Sequence, residues 1–153
     1  MSIIGHVNVP LIIKELKFLL DGDEDQTMLQ GIPGQINNYG VGRISELTHS
    51  ESEFTEVLYD TPYLNSVLTE YGMSRTRLLL LRPGECYSYH RDPTKRIHIP
   101  IICDEFCLAV IDDVVHRFVS DGPIHLIDTT RYHTFINAGE YDRYHIVGIA
   151  PDL

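Results

Sequence analysis

Three side chains able to hold a metal sit at defined steps along this chain: His90 and Asp92 in a His-x-Asp, and His133, 43 positions beyond His90. Two imidazoles and one carboxylate are the donor set of a facial triad, which grips non-haem Fe(II) on one side and leaves positions open for a co-substrate and O2. Arg143 follows His133 by 10 residues. Its planar guanidinium matches a carboxylate through two parallel hydrogen bonds, as a dicarboxylate co-substrate would require. The combination points to oxygenase chemistry.

Such residues need a rigid frame, and the sequence after residue 74 supplies the pattern of one. Short β-rich runs at Arg77–Arg82, Cys86–His90, Arg96–Ile102, Cys107–Ile111, Val114–Val119, His125–Ile127, Tyr132–Ile136 and Arg143–Ile149 read as eight strands. Pro83-Gly84, Asp92-Pro93, Asp112-Asp113, Asp121-Gly122-Pro123 and Ala138-Gly139 break them. Short strands at this spacing suggest a sandwich or jelly-roll barrel with a site at one mouth. Strand alternation puts His133 in phase with Phe135 and Asn137, Arg143 with His145 and Val147, and Arg96 with His98. Tyr87 and Tyr89 fall on the face opposite His90 and read as packing residues. A barrel interior holding so many polar groups implies that something binds them, since each unsatisfied one costs about 1–3 kcal/mol.

Residues 1–74 read differently. Val9–Leu20 and Phe54–Tyr71 carry apolar residues at helical spacing, predicting two helices. Between them, Asp21–Ser52 is rich in Gly, Asn, Asp and Ser, with turn signals at Gly31-Ile32-Pro33-Gly34 and Asn37-Asn38-Tyr39-Gly40. A long irregular stretch in a compact domain is commonly either a functional lid or a run whose elements the pattern does not reveal. On the first reading, the stretch from Gly31 to Gly42 is expected to close over a substrate.

At 153 residues, 43% of them hydrophobic, the chain can bury one core, so a single domain is expected over 1–153. The formal charge of −10 makes the average surface repel phosphate backbones and anionic lipid, which argues against a nucleic-acid partner. Cys86, Cys103 and Cys107 are an odd set without zinc-site pairing and read as small apolar residues in a reducing, cytoplasmic setting. No segment approaches the ~20 apolar residues that span a bilayer. Oligomeric state is not legible.

Asp92 two after His90, the run Arg96-Ile97-His98-Ile99-Pro100, the segment Leu126-Ile127-Asp128, and His133-Thr134-Phe135-Ile136-Asn137 with Arg143 form an ordered set. Over about the last 75 residues this set resembles the Fe(II)/2-oxoglutarate dioxygenases, and within them the aspartyl/asparaginyl β-hydroxylases and related amino-acid hydroxylases. The resemblance implies a double-stranded β-helix (jelly roll) over 75–153 with the N-terminal helices packed on it. It implies His90, Asp92 and His133 as ligands of Fe(II), and Arg143 as the partner of the distal 2-oxoglutarate carboxylate. Arg96 and His98 would contact the metal-bound end of that co-substrate. Ser88, in phase with His90, is a candidate hydroxyl partner for the distal carboxylate. The reaction implied is hydroxylation of a small molecule or peptide, an amino-acid side chain in either case, with O2 consumed and succinate and CO2 released.

The same jelly roll could instead be a cupin-like metal protein without oxygenase chemistry, or a small-ligand binding module. Neither needs Arg143. Read one at a time, His98 is a core histidine, Arg96 a partner for a neighbouring carboxylate, and His6, His49, His116, His125 and His145 structural or exposed. Asn137 could support the turn before the last strand or orient a group near the metal.

Overall fold

The computed structural model describes residues 1–35, 40–150 and 153. The expected turn at Asn37-Asn38-Tyr39 lies outside them.

The first predicted helix forms over its expected span. Asn8 accepts a hydrogen bond from the Leu11 amide at 3.1 Å, Pro10 sits in the first turn, and α1 runs Val9–Leu20. The second helix is shorter than its periodicity suggests: α2 covers Pro62–Glu70. Proline drives its predecessor out of the helical region, so Pro62 begins the helix and residues 54–61 cannot continue it upstream.

Among the described residues eleven strands accompany these helices. β1 (Ser2–His6), β2 (Gln26–Met28), β3 (Gln30–Gly31) and β4 (Glu56–Val57) belong to the N-terminal half. β5 (Ser74–Leu81), β6 (Arg96–Ile102), β7 (Cys107–Ile111), β8 (Val114–Arg117), β9 (Pro123–Ile127), β10 (His133–Asn137) and β11 (Arg143–Ile149) follow. They make an antiparallel six-stranded sheet in the order β1-β9-β6-β11-β5-β2, a three-stranded sheet β10-β7-β8, and the small pair β3-β4. The stretch expected to be irregular, Asp21–Ser52, thus contributes β2 and β3, each too short for a sequence period to register.

The inner strands β5, β6 and β11 of the six-stranded sheet are buried on both faces, and their alternation sorts the residues. Leu78, Leu80, Ile97, Ile99, Tyr144 and Ile146 pack against Ile12, Leu16, Leu64 and Leu68 of the helices. The opposite face meets the three-stranded sheet: Leu81 and Ile127 share a cluster with Cys107, Ala109, Ile111, Phe118 and Phe135. The two sheets therefore close into a double-stranded β-helix carrying its helices on the outside. Arg77 pairs across the ladder with Val147, which pairs with His98; Leu79 pairs with His145, and Leu81 with Arg143. The polar side chains sit in phase on the barrel-facing surface, as alternation predicted.

Cys86–His90 departs from its predicted form. It is not a continuous strand but touches β10 at two isolated bridges, Cys86 with Ile136 and His90 with His133. Four steps on one chain are set against three on the other, which is a bulge. The extra residue changes the phase. Tyr87, whose amide donates to the Phe135 carbonyl at 3.1 Å, joins His90 on the cavity wall, whereas strict alternation had placed the two on opposite faces.

Candidate functional site

The bulge and the start of β10 bring His90 and His133 together, with ring centroids 4.5 Å apart. Asp92 reaches the same point because its amide donates to the Thr129 carbonyl at 2.8 Å, turning the chain sharply after His90. The Nε2 atoms of His90 and His133 each lie 3.7 Å from a carboxylate oxygen of Asp92, one on Oδ1 and the other on Oδ2. Among the described residues these three form the group whose donor atoms, all within 4.8 Å of one another, could hold a metal ion.

The tautomers suit that role. His90 Nδ1 lies 2.6 Å from the Ser88 carbonyl, and His133 Nδ1 lies 2.9 Å from the Arg131 carbonyl. A carbonyl only accepts, so both Nδ1 atoms carry the proton and both Nε2 lone pairs are free to coordinate. Such outer hydrogen bonds orient metal-binding imidazoles and raise their basicity. Burial lowers the proton affinity of His133, which is 1% exposed, keeping it in the neutral form a ligand needs.

A chain of charge leads away from Asp92. Arg96 Nε is 3.4 Å from Asp92 Oδ2, and Arg96 Nη2 is 3.0 Å from Glu51 Oε2. Arg75 Nη1 donates to Glu51 Oε2 at 2.7 Å. Arg75 also donates to the Gly40 carbonyl through Nε at 3.0 Å and Nη2 at 2.7 Å, and to the Gly42 carbonyl at 3.1 Å. Burial alone would raise the Glu51 carboxyl, but the charge of Arg96, then the hydrogen bond and charge of Arg75, hold it below its usual value. Gly40 has a positive φ of 117°, and a Cβ there would lie 2.4 Å from the Phe54 ring, so only glycine fits this tether.

The triad opens into a cavity of about 510 Å³, within the range of small-molecule sites. Ser88 and His98 line it, as do Gly42, the last residue of the stretch read as a lid, and Arg43, Ile44 and Ser45 just beyond that stretch. Arg143 lies deeper. It is fully buried, and among the described residues none of its three guanidinium nitrogens has a hydrogen-bond partner. Burial depresses its proton affinity, opposed by Tyr87, Cys107 and Cys103. Asn137 takes the structural role: its Nδ2 donates to the Leu81 and Tyr141 carbonyls at 2.9 and 2.7 Å, closing the turn before β11.

His98, His125 and His145 are buried in the barrel, the Nδ1 atoms of His98 and His145 being 3.3 Å apart and both Nε2 atoms without partners. Burial, then the charge of Arg143, pushes His98 and His145 well below the ordinary value of 6.5. The folded protein therefore holds them neutral, while the unfolded chain binds two more protons as pH falls below 6.5. Stability of the metal-free protein is expected to fall by ~3 kcal/mol between pH 8 and pH 5.5 from these two groups, at ~1.4 kcal/mol per group per unit. Urea midpoints that do not move over this range would contradict it.

The profile of the aspartyl/asparaginyl β-hydroxylase family matches residues 7–148. The chain belongs to that family. The match takes in the N-terminal half, beyond the last 75 residues on which the sequence resemblance rested. Family and site together are compatible with a metal-binding, hydroxylase-like protein on a double-stranded β-helix. Comparison with curated protein sequences yields no match.

Among solved structures, AviO1 from Streptomyces viridochromogenes is similar at 15% identity and a TM-score of 0.49, over 94% of this chain and 85% of that one. A predicted oxalate decarboxylase from Thermotoga maritima matches at 14% identity and a TM-score of 0.44, over 56% and 71%. A protein from Photorhabdus luminescens matches at 17% identity and a TM-score of 0.42, over 50% of this chain and 62% of that one, less than two thirds of its length. Among the described residues no helix of this family member is long and apolar enough to cross a membrane.

Sequence reasoning missed Glu51, Arg75 and Arg77. For the arginines a signal existed: Ser74–Leu81 alternates them into a run otherwise apolar enough to be buried. Glu51 gave none, being one acid among several in a polar segment.

Proposed function

We propose that this protein is an Fe(II)- and 2-oxoglutarate-dependent oxygenase that hydroxylates a small substrate, an amino-acid side chain free or within a peptide. His90, Asp92 and His133 would hold the iron, which when bound supplies oxidative decarboxylation of 2-oxoglutarate by O2 and hydroxylation of the substrate. Succinate and CO2 leave. The chain's own residues position the reactants and exclude water: the bulge aims His90, the Asp92–Arg96–Glu51 chain fixes the carboxylate, and Phe135 and Val147 dry the cavity wall.

The observation that carries this reading is Arg143. A guanidinium buried without a counter-charge is strongly unfavourable, and a bidentate carboxylate removes that penalty. A cupin-like metal protein without a dicarboxylate co-substrate has no use for it. His98, on the cavity wall with an unpartnered Nε2, is proposed to meet the metal-bound end of the co-substrate. Arg96 is proposed to act there through Asp92, since its donors are engaged by Glu51, Thr94 and Asp92.

Anaerobic titration with Fe(II) and 2-oxoglutarate tests the proposal. Wild type is expected to develop the visible charge-transfer absorption of the chelate. Arg143→Met should need on the order of 100-fold more 2-oxoglutarate for the same absorption, as loss of a charged bidentate pair implies. Absence of absorption in wild type at any concentration would remove the oxygenase reading in favour of a cupin-like binding protein.

A further inference from the structure

The cavity wall is unusual for a chain of net charge −10. Arg43, Arg75, Arg77, Arg91 and Arg96 all line it, with Asp92 the acidic residue among its lining side chains. Most of these cations are accounted for within the protein. Arg75 and Arg96 share Glu51, Arg91 lies 5.0 Å above the ring of Tyr132, and Arg43 is exposed to water. Arg77 differs. It is 8% exposed, its Nη1 donates to the neutral Gln26 Oε1 at 3.1 Å, and its buried Nε has no partner.

We propose, building on the oxygenase reading, that Arg77 is the recognition residue for an acid group, carboxylate or phosphate, on the substrate. β5 points Arg77 into the barrel on the row that passes through Val147 to His98, two strands away and so about 10 Å across the sheet. This places it on the same wall as His98 and clear of Arg143, which pairs with Leu81 four residues further along β5. The two guanidiniums thus divide the anions. Arg143, deep and closed, takes the co-substrate's distal carboxylate, and Arg77, on the open cavity, takes the substrate's acid group. The fork geometry of arginine fits either acid bidentately, and the surrounding cations concentrate anions in the cavity against the sign of the outer surface.

The test uses the intact metal-free protein and inorganic phosphate as probe, read by calorimetric titration and by the Nε–Hε resonance of Arg77 in 15N-labelled wild type. Phosphate is expected to bind wild type and Arg143→Met alike, to shift the Arg77 resonance, and to bind Arg77→Gln at least about tenfold more weakly. In the same Arg77→Gln protein, the 2-oxoglutarate concentration that develops the charge-transfer absorption should match wild type within twofold. Phosphate binding that leaves the resonance unmoved, or that is equal in Arg77→Gln, overturns the proposal. A 2-oxoglutarate requirement raised by Arg77→Gln also overturns it, because Arg77 would then serve the co-substrate. The wild-type resonance decides the matter even if Arg77→Gln fails to fold. Phosphate binding that needs Arg77 in a protein showing no absorption would sink the oxygenase reading while leaving the anion site standing.

Discussion

His133→Ala is expected to abolish metal binding. The imidazole sits at the start of β10, fixed by the ladder to β7 on one side and the bridge to His90 on the other, with its Nδ1 proton committed to the Arg131 carbonyl. Among the described residues no further donor converges on this point: His98, the remaining histidine on the cavity wall, packs against Phe135 with ring centroids 4.6 Å apart and stands outside the His90–Asp92–His133 group. Two of three donors would remain, one of them on a partly exposed turn. Losing a partner that merely supports a ligand costs ~10–100-fold in metal affinity, and losing the ligand itself should exceed that. The measurement is a calorimetric or optical titration with Fe(II), or with Co(II) as a stable surrogate, against wild type. Equal affinity in the two proteins would show that the metal, if bound, lies elsewhere.

Glu51→Gln is expected to destabilise the fold by about 3–5 kcal/mol although it keeps the side chain's shape. The carboxylate is 7% exposed and stands between two arginines, each also buried. Removing one member of a buried ionic set leaves uncompensated charge, at about 3–5 kcal/mol, against a total stability for a domain of this size of about 5–15 kcal/mol. The pH dependence gives the effect a signature. Glu51 has a folded proton affinity below its unfolded one, so its contribution is present in full above the ordinary carboxyl value of 4.5 and disappears as pH falls through the folded value. The gap between wild type and Glu51→Gln in urea denaturation should therefore be constant from pH 8 to about pH 5.5 and narrow only in stronger acid. A gap below 1 kcal/mol at pH 7 would mean that water replaces the carboxylate at little penalty.

Much of this arrangement was legible in the sequence because it rests on period. Asn8, Pro10 and the apolar spacing after them define α1, and two-residue alternation places Arg143, His145 and Val147 on one face whatever they bind. The donor types of His90, Asp92 and His133 are chemistry that needs no coordinates to recognise. Features without period were not legible. β2, β3 and β4 are two or three residues long, shorter than any alternation can reveal. Glu51 reaches Arg75 and Arg96 across 24 and 45 positions of chain, a pairing decided by the closed barrel and not by local sequence. The phase of Tyr87 was misjudged because strict alternation has no place for an inserted residue.

That inserted residue makes the count of positions between Cys86 and His90 a determinant in its own right. Ser88 holds His90 through its backbone carbonyl, which any residue would supply, whereas Tyr89 is tied down by its side chain, stacked on Tyr132 and hydrogen-bonded to Asp113. Removing either position would return the segment to even pairing, turning Tyr87 or His90 away from the cavity while every remaining residue kept its identity. Here the information that brings the three candidate metal donors together is written as a length as much as in residue types: a chain that changed residue 88 but kept the spacing is expected to aim His90 the same way.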